Sequence, residues 1–116
     1  MQAATIYKIC RQAEWSAGQG ASVFAGTRDD ERDGFIHFST AEQVAATAAK
    51  HFAGKNDLML LAVDVAVLGS SLVWETARGG ELFPHLYAGL PRAAVRWERP
   101  LRRDAGGRLV FPELER

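Results

Sequence analysis

Leu58-Met59-Leu60-Leu61-Ala62-Val63 is apolar at every position before Asp64 and Val65 close the run. A half-exposed strand alternates apolar with polar residues, whereas a run that is apolar on both alternating faces must be covered from both sides. Residues 58–65 therefore predict the central strand of a sheet, and the rest of the chain has to supply two covering layers. Thr5-Ile6-Tyr7-Lys8-Ile9-Cys10 alternates around two isoleucines and predicts a half-buried first strand. Leu72-Val73-Trp74-Glu75 predicts a shorter one, and Ala94-Val95-Arg96-Trp97-Glu98-Arg99 alternates cleanly, with Glu98 on the polar face beside Arg96. The turn Asp104-Ala105-Gly106-Gly107 followed by Arg108-Leu109-Val110-Phe111 predicts a terminal hairpin.

One covering layer comes from a helix. Ser39 with Glu42, and Thr40 with Gln43, both have the capping-box spacing, so a main helix is expected over about residues 40–53. Its stripe is Val44, Ala48 and Phe52, Gly54 stops it, and Lys50 and His51 complement its C-terminal dipole. A short helix or turn is expected between Arg11 and Gln19, ended by Gly18 and Gly20. Residues 26–34 carry Arg28, Asp29, Asp30, Glu31, Arg32 and Asp33, mixed charges that read as a solvated loop or short exposed helix without chemistry. Residues 82–91, bounded by Pro84 and Pro91, read as an irregular segment too apolar to be idle surface. The fold class is α+β, and 116 residues make one domain, 1–116.

Fourteen Lys plus Arg against 14 Asp plus Glu leave no net field to steer the chain toward nucleic acid or an anionic membrane. No apolar stretch approaches the roughly 20 residues that span a bilayer. Cys10 has no partner for an internal disulfide, and Met1-Gln2-Ala3-Ala4 lacks a basic and apolar leader pattern, so a cytoplasmic location is expected. Cys10 reads as a small buried hydrophobe. Cys10, His37, His51 and His85 have no paired ligand spacing, so no metal site is expected.

Gly34-Phe35-Ile36-His37-Phe38-Ser39-Thr40 concentrates the chemistry. Its apolar, strand-like run carries one imidazole and ends in two hydroxyls at a helix start. His37 reads either as a hydrogen-bonded core residue or as a catalytic group, and Ser39 and Thr40 either as plain helix caps or as ligands to an anion at a helix N-terminus. Glu75 is either an exposed strand end or a carboxylate aimed into a cleft. His85 and Tyr87 lie in the apolar segment at 82–91, where such groups line pockets or close a lid over the core.

Ile6-Tyr7-Lys8-Ile9, Glu14-Trp15, the 34–44 phrase, Asp57 to Asp64, Trp74-Glu75 and Phe83-Pro84-His85-Leu86-Tyr87, taken in order, resemble the bacterial family called domain of unknown function 952. That resemblance implies an ADP-ribosyltransferase-like fold, two facing antiparallel sheets with a split between them, in a superfamily of NAD-dependent transferases and RNA 2'-phosphotransferases. It implies NAD as the candidate cofactor, and His37 with Ser39 is similar in setting to a histidine that bonds the adenosine ribose. A stacking tyrosine and a terminal catalytic glutamate have no assigned counterpart here. The expectation is a small transferase-like enzyme that takes a nucleotide or phosphorylated ligand in a cleft built from His37, Glu75 and His85, with Ser39, Thr40 and Tyr87 contacting the ligand. The alternatives are a non-catalytic ligand-binding or regulatory module on the same fold, and a partner-binding domain using the aromatic segment around Tyr87.

Overall fold

The computed structural model describes residues 3–116. Met1 and Gln2, where the leader pattern was sought, lie outside the described residues. The chain runs β1 (Thr5–Arg11), α1 (Gln12–Ser16), β2 (Val23–Phe24), α2 (Arg28–Asp33), β3 (Ile36–His37), α3 (Val44–His51), β4 (Leu58–Asp64), α4 (Val65–Leu68), β5 (Leu72–Thr76), β6 (Leu82–Leu86), β7 (Leu90–Pro91), β8 (Val95–Arg103) and β9 (Leu109–Val110). This is an α+β arrangement in which the strand pairs are antiparallel. A larger sheet has the order β1-β4-β8-β9, a second β3-β6-β5, and β2 pairs with β7. Tyr7 and Ser39 exchange backbone hydrogen bonds of 2.8 and 2.9 Å, which ties the exit of β3 to β1 and so joins the two larger sheets.

The doubly apolar run is an inner strand, β4, flanked by β1 and β8. Leu61 and Val63 face one core with Ile6, Cys10, Ile36, Phe38 and Leu86, while Leu58, Leu60 and Ala62 face another with Tyr7, Ile9, Val44 and Ala48. Each large aliphatic side chain buried this way contributes about 1.5–3 kcal/mol. β1 departs from the half-buried expectation: it is covered on both faces from Thr5 to Cys10, because its even-numbered side chains enter the first core beside Leu61 and Val63. Lys8 enters with them. Cys10 is buried and its thiol is pushed up to about 12, chiefly by that burial. An aromatic disulfide reagent is therefore expected to leave it unmodified in native buffer and to modify it fully in denaturant, and rapid labelling of the native protein would contradict this.

The main helix is shorter than expected. Regular helix begins at Val44, because residues 41–43 form a turn in which the Thr40 carbonyl accepts from Gln43 N and Val44 N. Half of the Thr40/Gln43 box is made, Thr40 N donating to Gln43 Oε1 at 3.1 Å, whereas the Ser39 hydroxyl pairs with Thr47 instead of capping. Residues 82–86 also depart from expectation: they form the regular middle strand β6 and not an irregular segment. Pro84 is tolerated there because its backbone edge faces Phe38, which donates to the Pro84 carbonyl at 3.0 Å; only the reciprocal bond is lost, and the ladder to β5 continues. Glu98 is exposed, as its alternation implies, yet it accepts the Trp15 indole N–H at 2.6 Å.

Candidate functional site

Residues 26–34, expected above to be a solvated loop or short exposed helix without chemistry, build the polar centre of the molecule. Thr27 caps α2 by accepting from Asp30 N at 3.2 Å, and Asp30 Oδ2 accepts from Thr27 N at 2.8 Å, a reciprocal box that turns the Asp30 carboxylate inward. Gly26, at a φ of +108°, lies so close that a Cβ would stand 2.8 Å from Asp30 Cβ. Gly34 ends the helix in the left-handed region, at a φ of 87°. Asp30 is 2% exposed and pairs with Lys8, 5% exposed, whose Nζ lies 3.0 and 2.9 Å from its two oxygens. Asp30 Oδ1 also lies 2.7 Å from His37 Nδ1 and accepts from His37 N at 3.1 Å. Burial alone would raise the Asp30 pKa, but the bond from His37, the Lys8 ammonium and the Thr27 amide together hold it well below the usual carboxylate range.

The second nitrogen of His37 is engaged as well. Nε2 lies 3.0 Å from Asp33 Oδ2, at the last residue of α2. Both contacts are hydrogen bonds only when each ring nitrogen carries a proton. Asp33 also binds Arg32 Nε at 2.9 Å, and that contact is the main reason its carboxyl is held below the usual range.

His85 stands directly opposite His37 in the β3–β6 register, and the two rings meet nearly edge to face with centroids 5.7 Å apart. Glu75 is diagonal to His85 across the β5–β6 pair, and Tyr87 lies two residues beyond His85, just past the end of β6, both within reach of its ring. Glu75 Oε1 lies 2.7 Å from His85 Nδ1 and accepts the Tyr87 hydroxyl at 2.7 Å. These two bonds, Tyr87 first, lower the Glu75 pKa, and the same carboxylate raises that of Tyr87. Phe35 stacks on His85 with centroids 4.1 Å apart and also meets His37 at 4.6 Å and Tyr87 at 5.3 Å.

His37, Ser39 and His85 line one cleft of about 640 Å³ together with Lys8, Asp30, Asp33, Phe35 and Phe83, and Arg11, Arg28 and Lys55 also border it. Its volume lies in the range of small-molecule clefts. Glu75 and Tyr87 do not line it; they hold His85 from outside. Ser39 is in the cleft with its hydroxyl 2.8 Å from that of Thr47. Thr40 is not: it borders a separate concavity beside Trp74, Leu82 and Arg116. Its amide is taken by Gln43, and regular helix starts four residues later, so the anion site expected at Thr40 is not formed there. Among the described residues no group of three or more His, Cys, Asp or Glu side chains is placed to hold a metal ion. None of their helices is long and apolar enough to cross a membrane.

The sequence reading missed Lys8, Asp30, Asp33 and Phe35. Two signals were present: Lys8 is the one charge inside an apolar strand, and Thr27-x-x-Asp30 has capping-box spacing with aspartate in the glutamate position.

No curated protein matches the chain. Among solved structures, the crystal structure of protein CC0527 from Caulobacter crescentus is 47% identical, with a TM-score of 0.86 over 91% of this chain and 93% of that one. A crystal structure of a double mutant of CC0527 gives 46% identity and a TM-score of 0.85 over the same shares. The solution structure of CC0527 gives 48% identity and a TM-score of 0.80 over 90% of each chain. The family model described as a protein of unknown function (DUF952) matches residues 9–98, a span that takes in Asp30, His37, Glu75, His85 and Tyr87. The chain belongs to the DUF952 family.

Proposed function

We propose that this protein is a small cytoplasmic transferase-like enzyme of ADP-ribosyltransferase-like fold, with facing sheets about a cleft that binds NAD or another nucleotide or phosphorylated ligand. The observation that carries the reading is the histidine pair: two imidazoles 5.7 Å apart in one cleft, each with Nδ1 fixed by a carboxylate oxygen at 2.7 Å. A carboxylate on Nδ1 selects the tautomer whose proton sits on that nitrogen, which leaves Nε2 of His85 free to act as base. His85 is the acid–base group, Glu75 positions it, and His37 receives the ligand's polar group beside Ser39. Phe35 offers the aromatic surface.

A second reading, binding without turnover, is favoured by the engagement of both His37 nitrogens by carboxylates. Thermal denaturation with NAD, ADP-ribose and a 2'-phosphorylated oligoribonucleotide tests the shared premise. A ligand at about 100 times its dissociation constant should add roughly 2.7 kcal/mol of stability. The shift is expected to vanish in H37A, and an absence of any shift in the wild type would overturn the binding reading. Binding without release of nicotinamide or transfer of phosphate would select the non-catalytic module.

A further inference from the structure

Within the cleft proposed above, the two carboxylates on His37 differ in how firmly they are held. Asp30 is 2% exposed, and its oxygens are shared among Lys8, the Thr27 amide, and the His37 amide and ring. It cannot leave without stranding a buried ammonium. Asp33 is one-third exposed, sits at the end of a short helix next to Gly34, and has Arg32 as a second partner already in contact. It can leave at little cost, because an exposed ion pair is screened by water and its charge stays solvated when the pair opens.

We propose that Asp33 is a built-in competitor for the ligand: its carboxylate occupies the place on His37 Nε2 where an anionic group of the ligand is received. This inference rests on the proposed function of the same cleft and narrows it to ligands that bring an anionic oxygen, phosphate or carboxylate, to His37. When such a group arrives, Asp33 swings onto Arg32 and the ligand oxygen accepts the Nε2 proton. Asp30 keeps the ring oriented from the other side throughout. A neutral ligand has no means of displacing a carboxylate from an imidazole that donates to it, so Asp33 also sets specificity against uncharged relatives. Arg28, on the same helix and bordering the cleft, and Lys55 across it favour the charged ligand over the neutral one.

The test uses D33N, which keeps the shape of the side chain and removes its charge, with D33A as a second variant. Nitrogen-15 NMR of the His37 ring is followed while inorganic phosphate is added, and calorimetry measures ADP-ribose against adenosine. Phosphate is expected to perturb Nε2 of His37 in D33N at a concentration roughly two- to fivefold lower than in the wild type, in line with the loss of one exposed carboxylate competitor. ADP-ribose is expected to gain by a similar factor, and adenosine not at all. Equal phosphate dependence in wild type and both variants, or no perturbation of His37 in either variant, would overturn the inference. A gain for phosphate with no binding of NAD or ADP-ribose would keep it and sink the nucleotide reading. Binding of ADP-ribose that ignores Asp33 would do the reverse.

Discussion

Replacing Asp30 by alanine is expected to destabilise the fold by about 3–5 kcal/mol, a large share of the roughly 5–15 kcal/mol that holds a domain together. The magnitude comes from what is left behind. Lys8 is 5% exposed on a strand covered from both faces, and among the described residues its ammonium would keep the His37 carbonyl, at 3.0 Å, as its one partner. The same change removes the acceptor of the His37 ring and of two backbone amides. Urea denaturation should show the loss in full, and a D30A midpoint within error of the wild type would refute the assignment. A double replacement by apolar residues, K8M with D30L, is expected to recover the part of the loss that comes from the stranded ammonium, but not the part from the Thr27 and His37 amides, while abolishing ligand binding. An uncompensated charge is the costly element, and the pair itself can be replaced. That combination separates the structural weight of the pair from its part in the cleft.

Acid should reproduce the single mutant reversibly. The folded-state pKa of Asp30 lies below its unfolded value near 3.9, so the unfolded chain takes up the proton first. The stability it confers is complete above the unfolded value and declines as pH falls below about 5 toward the depressed folded value. In D30N this limb of the pH–stability curve should flatten.

Most of the framework was legible because burial leaves a direct mark on hydrophobic pattern. The run at 58–65 could only be an inner strand, and the hairpin around Asp104 follows from its turn residues, with Asp104 Oδ1 accepting from Gly106 N and Arg108 N at 2.9 and 3.0 Å. The site was half legible. His37, Ser39 and His85 share a cleft, since a polar residue inside an apolar phrase has to meet a partner or a ligand. Asp30 was hidden by its neighbours: in Arg28-Asp29-Asp30-Glu31-Arg32-Asp33 five of the six residues are exposed or nearly so, and composition cannot pick out the one whose carboxylate turns inward. That choice depends on the Thr27 cap and on the room left by Gly26. Residues 82–86 misled for the opposite reason. Pro84 signals a break in any local reading, and only the pairing of both neighbouring strands shows that its missing N–H falls where a single bond is lost.

Replacing His85 by alanine is expected to lower turnover roughly 10²- to 10⁴-fold, the range in which a positioned acid–base group contributes, while leaving ligand affinity within a few fold. Turnover is measured as nicotinamide release from NAD, or as phosphate transfer from a 2'-phosphorylated oligoribonucleotide. Glu75 acts one step back. Its Oε1 receives both His85 Nδ1 and the Tyr87 hydroxyl, so Glu75→Gln puts a neutral amide where the carboxylate fixed the tautomer. E75Q should cost roughly 10- to 10³-fold in kcat with KM little changed, as expected of a group that orients a base without touching substrate. Tyr87→Phe deletes one of two bonds to the same oxygen and should cost less than E75Q. Neither E75Q nor Y87F should disturb the fold comparably to D30A, since Glu75 is more than one-third exposed and Tyr87 about half. Wild-type rates in H85A would remove His85 from the chemistry. An E75Q loss carried wholly in KM would instead make Glu75 part of ligand binding.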